Sequence, residues 1–277
     1  MILVTGARGN VGGSLVRQLA AAGLAVRALS RDAGAAGFPP GVEVVTGDLS
    51  DAESLATALQ GVTGLFLFTP PSGPGEAARL AAKAGVTRVV LLSSIATQKA
   101  DPKTNAIAAR HAAAEAALLA AGLDWTILRP DSFASNALDR AASIRTEGVV
   151  RAAYGASLRC PIHEDDIAAV AAAALQDAGH IGAAHWLTGP EVITLIDQVA
   201  AIARAIGRPV RFEELPREVA REMLCRKLPP AVVDRLLDYA ARSMHLPPPV
   251  SGAVPAILGR PGKSFSEWAR DHAADFA

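Results

Sequence analysis

The chain opens on a short apolar run, "MILV", which gives way to a glycine-rich turn, "TGARGNVGG", and then to a segment over 10–22 whose valines and leucines recur at helical spacing. The same alternation continues. "AVRALS" and "VEVV" at 42–45 predict strands, and a helix over 51–59 leads to a strand at 64–68, "GLFLF". A helix over 75–84 leads to "TRVVLL" at 87–92, and a long alanine-rich helix over about 104–121 leads to "DWTIL" at 124–128. The strand candidates are mostly continuous apolar runs, without polar alternation. Strands covered on both faces read this way, as in a parallel sheet flanked by helices. The repeated βα rhythm predicts an α/β fold with a doubly wound, Rossmann-type parallel sheet.

Past residue 130 the rhythm changes. "HEDDIAAVAAAAL" at 163–175 predicts a helix with acidic residues in its first turn, which suits the helix dipole without any metal. "HWLTG" at 185–189 predicts one more strand, and "TLIDQVAAIARAIG" a helix stopped by Gly207. Residues 215–250 read as helix pieces broken by "LPP" and "LPPPV". Ser264 with Glu267 three residues on forms a capping-box pattern for a last helix. The expected organisation is a sheet domain over 1–130, with 163–189 returning to it. A smaller, mostly helical part is expected over 131–162 and 190–277, on the substrate side.

Composition narrows the partners. Lys plus Arg and Asp plus Glu are 27 each in 277 residues, so there is no net charge to attract DNA, RNA or an anionic membrane. No apolar stretch approaches the ~20 residues of a transmembrane helix. Cys160 and Cys225 lack metal-ligand spacing and read as buried thiols of a reducing compartment. These features predict a cytoplasmic monomer or homodimer acting on a small molecule, with no nucleic-acid or membrane partner and no metal.

The turn itself carries the chemistry. Gly6, Gly9 and Gly12 recur every third residue between one strand and one helix. Glycine there permits a tight turn and close approach of backbone to a diphosphate, while the helix amides point at its charge. Thr5, Gly6, Arg8, Gly9, Asn10, Val11 and Gly12 are therefore candidate cofactor contacts. Arg31 ends the second strand where NAD sites usually place an acid, and with Arg8 it can clamp a 2′-phosphate. That favours NADP(H); Asp32, if it points inward, keeps NAD(H) possible. In "GDLSD", Asp48 can accept from the adenine amino group with Leu49 against the ring; alternatively Asp48 caps a helix, a role open also to Ser50.

"TGARGNVG", "GDLSD", "LLSS", "GLDWTILRPDSFASN", "DDIAAVAAAAL" and "LTGPEVITLIDQVAAIARAIGRPV" together resemble the NmrA-like family of atypical short-chain dehydrogenases/reductases, over nearly the whole chain. The resemblance implies a Rossmann domain, NAD(P) binding and a smaller substrate-side domain. Its members include quinone and dye reductases, tailoring enzymes of aromatic natural products, and proteins that bind the cofactor to report redox state. Conventional relatives carry Tyr-x-x-x-Lys on the long helix after the fifth strand. Here Ile107 stands in the Tyr position and His111 in the Lys position, and no Tyr occurs before residue 154. His111 is a candidate ribose contact or proton donor, or else a helix histidine paired with Glu115.

Ligands of such sheets lie beyond the carboxyl ends of the strands. That nominates Phe68, Thr69 and Pro70, then Ser93 and Ser94, then Arg129 and Pro130, whose backbone approaches the nicotinamide amide in similar proteins. Ser94 is the second catalytic candidate, able to polarise a carbonyl. Asp131, Phe133, Asn136 and Tyr154 are candidate substrate contacts. The expectation is an NADPH-dependent reductase of a quinone-like or other conjugated aromatic small molecule. A redox-sensing NADP(H)-binding regulator and a tailoring enzyme are the alternatives.

Overall fold

The structure is a computed structural model that describes residues 1–32, 37–69 and 74–277. In chain order the elements are β1 (Ile2–Val4), α1 (Asn10–Ala21), β2 (Val26–Ser30), β3 (Glu43–Thr46), α2 (Ala52–Ala58), β4 (Gly64–Phe68), α3 (Pro74–Lys83), β5 (Arg88–Leu92), α4 (Ala96–Lys99), α5 (Ala106–Ala120) and β6 (Asp124–Pro130). There follow α6 (Ala141–Glu147), β7 (Val149–Ala152), β8 (Leu158–Arg159), α7 (Glu164–Gln176), β9 (Ala183–Leu187), β10 (Ile193–Thr194), α8 (Leu195–Ile206) and β11 (Arg211–Glu214). The chain closes with α9 (Arg217–Cys225), α10 (Pro230–Ser243), α11 (Ala253–Leu258), α12 (Phe265–Asp271) and α13 (Ala273–Phe276).

Two compact units emerge. The first comprises Met1–Asp131, Glu164–Leu187 and Gly252–Arg260. Its seven-stranded sheet has the order β3-β2-β1-β4-β5-β6-β9 with every pair parallel, the doubly wound arrangement anticipated from the apolar runs. Side chains alternate across it. Leu3, Leu65, Leu67, Val89 and Leu91 join Leu55, Leu59 and Leu118 in one core beneath α2, α3 and α5. Val4, Phe66 and Val90 therefore point to the opposite face, and all three are fully buried. There α1 and α7 pack on the sheet and on each other. The acidic first turn of α7 serves as a set of ties. Asp165 accepts from the Ser14 hydroxyl at 2.6 Å, and Asp166 pairs with Arg260 at 2.8 Å. Strand order reverses at the β1–β4 pair, which opens a crevice at their carboxyl ends.

The second unit comprises Ser132–His163, Thr188–Ser251 and Pro261–Ala277. Its core gathers Trp268, Phe265, Phe276, Ile144, Val150 and Ile202. It is less purely helical than the sequence suggested, since β7 pairs with β11 in parallel and β8 with β10 antiparallel. These strands have two to four residues each, too short for periodicity to declare them, and "RFEE" of β11 is polar. The predicted helix ends are present. Gly207 is left-handed at φ +67°, and Ser264 and Glu267 form both bonds of a capping box. The strand anticipated at 185–189 is β9, displaced toward 183–187. Among the described residues no helix is long and apolar enough to cross a membrane.

Candidate cofactor-binding and active site

The site grows from the end of β1. Thr5 is fully buried; its N–H and hydroxyl both donate to Phe66 O, at 3.0 and 2.9 Å, and its Oγ1 accepts from Phe68 N at 2.8 Å. This clip joins the two strands of the switch point. With its hydroxyl so committed, Thr5 shapes the turn from behind. Gly6 is left-handed at φ +61°, and a Cβ there would press on Phe68 Cβ at 3.2 Å. The Gly9 amide closes the turn on Gly6 O at 2.9 Å. A Cβ on Gly12 would lie 2.2 Å from Gly6 O, so only glycine lets the helix start so close to the turn. Gly9 caps α1 without any side-chain bond. The first amides of α1, from Asn10 and Val11 onward, have no intrahelical acceptor and form the positive end of the helix. Val11 is itself buried, so its contribution to a ligand is the backbone N–H. A hollow closed to any Cβ and lined by helix amides fits the diphosphate of a dinucleotide.

At the end of β2, Arg8 Nε donates to Ser30 Oγ at 2.9 Å and Nη2 to the Asp32 carbonyl at 2.6 Å. The Asp32 carboxylate is exposed and 3.9 Å from the same guanidinium. Arg31 is exposed, and its charge is felt at Asp48. Asp48 Oδ1 accepts from the backbone and hydroxyl of Ser50, at 2.8 and 2.7 Å. Those hydrogen bonds hold its carboxyl below the ordinary range, with Arg31 adding to the effect against slight burial. Asp51, not Asp48 or Ser50, caps α2 by accepting from Glu53 N. Leu49 packs half-buried against the core. Arg8 is thus bound at the end of β2, and the exposed Arg31 follows that strand directly.

The carboxyl ends of β4, β5 and β6 hold the other half. Phe68 is exposed beside Gly6; Pro70 lies outside the described residues. Thr69 is fully buried and donates its hydroxyl proton to Leu92 O at 2.7 Å. Its oxygen can then only accept from His111 Nδ1, 3.0 Å away. The imidazole is therefore the Nδ1–H tautomer, with its Nε2 lone pair facing Arg110 Nη2 at 3.5 Å. Burial, aided by the Arg110 charge, lowers the His111 pKa to about 4, and Glu115 only partly opposes this. At neutral pH the ring is uncharged and its one N–H is committed. That state makes His111 a poor proton donor. The expected His111–Glu115 pair does not form either. Glu115 accepts from Arg129 Nε at 3.0 Å, Arg129 Nη2 at 2.6 Å and Ser93 Oγ at 2.5 Å, with Thr97 farther off at 3.4 Å. Burial pushes the Glu115 carboxyl up, but these donors outweigh it and leave it net lowered. The side chains of Ser93 and Arg129 consequently brace the sheet edge. Pro130 O accepts from Ile95 N at 3.1 Å, which fixes the backbone there. Ser94 differs from Ser93: half-exposed, it accepts from Ala96 N at 3.2 Å and donates to no group among the described residues.

On the candidate substrate side, Asp131 is paired with Lys99 at 2.6 Å, and the Lys99 ammonium lies 5.2 Å from the Trp186 ring centre. In the second unit Phe133 is half-buried and bridges to Ile162, while Asn136 is exposed. Tyr154 adopts φ +62°, unusual for a residue with a Cβ. Its amide and that of Gly155 donate to the two oxygens of Glu214, at 2.5 and 2.9 Å, and its hydroxyl accepts from Arg217 at 3.3 Å. The sequence reading missed Lys99, Arg110 and the Glu115–Arg129 pair. Helical spacing offered Glu115 a partner on its own helix, whereas the real one is on the next strand.

A parallel sheet with a glycine cradle at its switch point and a bonded polar network along its carboxyl edge defines a dinucleotide-dependent oxidoreductase of the Rossmann class. The chain belongs to the NAD(P)H-binding family, whose model matches residues 6–178. It is 42% identical over 282 residues to a (4-alkanoyl-5-oxo-2,5-dihydrofuran-3-yl)methyl phosphate reductase of Streptomyces griseus, covering 100% of this chain and 99% of that one. It is 35% identical over 289 residues to an NAD(P)H azoreductase of Xenophilus azovorans, with 100% and 99% covered. Among solved structures, an NADPH-dependent quinone oxidoreductase from Escherichia coli in complex with NADPH superposes with a TM-score of 0.79 at 25% identity, over 98% of this chain and 99% of that one. The NmrA-like resemblance and the assignment of an NAD(P)(H) cofactor hold, and the chain is an oxidoreductase.

Proposed function

We propose that the protein uses NADPH to reduce a quinone-like or other conjugated small molecule without a tyrosine acid. The observation that carries this reading is the state of α5. Ile107 is exposed where conventional relatives place Tyr, and His111 is neutral with its N–H bound to Thr69. The residues favour an acceptor whose reduced form is a stabilised anion and takes its proton from water. NADPH supplies the hydride when bound. The amides opening α1 hold its diphosphate, Arg8 and Arg31 take the 2′-phosphate, and Asp48 and Leu49 border the adenine. NADP(H) is favoured on this basis, with NAD(H) still possible. Phe68 and Thr69 with the Arg129–Pro130 backbone flank the nicotinamide. Ser94 donates to the acceptor's carbonyl oxygen, strengthening as charge develops there. Asp131, Phe133, Asn136 and Tyr154 are the candidate substrate contacts.

The Streptomyces relative favours a second, narrower reading. The substrate in its name is the methyl phosphate of an unsaturated lactone with an acyl group on the ring, so hydride would enter a carbon–carbon double bond conjugated to carbonyls. Quinones and such lactones share one demand, an oxyanion formed at a distance from the attacked atom. Steady-state consumption of NADPH with matched panels of quinones and acyl-lactones tests both readings. Turnover of neither class would refute the proposal.

A further inference from the structure

Arg110 is left over from the network just described. Lys99, Arg8 and Arg129 each have oxygen acceptors in Asp131, in Ser30 and Asp32, or in Glu115. Among the described residues Arg110 has none: its Nε is shielded from solvent without an acceptor, and its one hydrogen-bond neighbour there is the neutral His111, 3.5 Å away. A half-buried guanidinium without an anion carries a desolvation cost that a bound anion would offset. Its place is specific. It lies on α5 three residues from the exposed Ile107, hence along the same side of the helix. Through His111 and Thr69 it is connected to the carboxyl end of β4, the edge from which ligands of this sheet type are held. A guanidinium offers five N–H donors, and His111 can take at most one. The remaining fork matches a phosphate, sulfonate or carboxylate. His111 contributes by staying uncharged: a second cation beside Arg110 would repel it, while the Nε2 lone pair orients Nη2.

We propose that Arg110 is the specificity residue of this site, binding an anionic group on the conjugated substrate. The assignment rests on the reductase reading above. The test compares wild type with Arg110→Gln, using 1,4-naphthoquinone-2-sulfonate and the neutral 2-methyl-1,4-naphthoquinone. The ratio of kcat/KM for the anionic over the neutral acceptor should fall roughly 10- to 100-fold in the variant, the range for one lost charge-assisted contact. An unchanged ratio overturns the proposal. The dissociation constant of the sulfonate for NADP⁺-loaded protein, read by tryptophan fluorescence, should rise by a similar factor. That second reading separates the two claims. Arg110-dependent binding without turnover would sink the reductase reading and keep the anion site, whereas turnover indifferent to Arg110 would do the reverse. Two results would assign the anion elsewhere and overturn the proposal. One is a weakened NADPH affinity with the ratio unchanged, and the other is inorganic phosphate binding as tightly as the sulfonate and losing affinity equally.

Discussion

Lowering the pH should expose His111. Its ordinary pKa is 6.5 and in the folded chain it is about 4, chiefly through burial. Between those values the unfolded chain holds a proton that the folded chain refuses. The associated stability is complete above pH 6.5 and is lost as pH falls toward 4. A gap of about 2.5 at about 1.36 kcal/mol each sets a ceiling near ~3.4 kcal/mol, and residual solvent screening brings the expectation to about 2 kcal/mol. Urea unfolding of wild type and His111→Gln at pH 7.5 and pH 4.5 isolates the effect. Wild type should lose about 2 kcal/mol more than the variant over that interval. The same arithmetic leaves roughly one ring in a thousand protonated at pH 7, so kcat should show no limb near 6.5 that His111→Gln removes. Identical pH dependence in the two proteins, or an imidazole resonance titrating near 6.5, would refute the tautomer and burial argument together.

The other perturbations act on single contacts. Gly12→Ala drives a methyl to 2.2 Å from Gly6 O and should cost at least about 2–3 kcal/mol of NADPH affinity, by calorimetry, with the far-ultraviolet spectrum retained. Arg31→Ala should weaken NADPH by about 1.5–3 kcal/mol and NADH hardly at all; equal losses would remove the 2′-phosphate assignment. Glu115→Gln leaves Arg129 facing a neutral amide in a buried setting, and should lower unfolding stability by about 2–4 kcal/mol. A double-mutant cycle with Arg129→Ala should recover most of that loss as coupling between the pair.

Much of the fold was legible because its cause is local. Apolar runs such as "GLFLF" have no polar side to present to water, so they declare a strand covered on both faces. The glycine turn was equally readable, since Gly6 answers a left-handed φ that favours glycine and Gly12 a 2.2 Å approach that leaves no room for a Cβ. The site's polar wiring was not. Glu115 has a His at i−4, but the fold brings Arg129 to it from β6 and Ser93 from the residue that follows β5. The state of His111 depends on the burial of Thr69 and on Leu92 O, neither marked in the local sequence. The bonds of the Thr5 hydroxyl to Phe66 and Phe68 across the switch point are likewise unmarked in the local sequence. The short strands of the second unit exist because its core packs around Trp268 and Phe265, an arrangement set by segments far apart in the chain.

The most direct measurement follows reduced nicotinamide absorbance while purified protein, NADPH and a conjugated acceptor are mixed, once with ordinary NADPH and once with NADPH deuterated at the transferred C4 position. Consumption should run well above the uncatalysed rate, matched by reduced acceptor and slowed by the deuterium. Saturable binding of both NADP⁺ and NADPH with no consumption above background, for quinones and unsaturated lactones alike, would contradict the reductase reading.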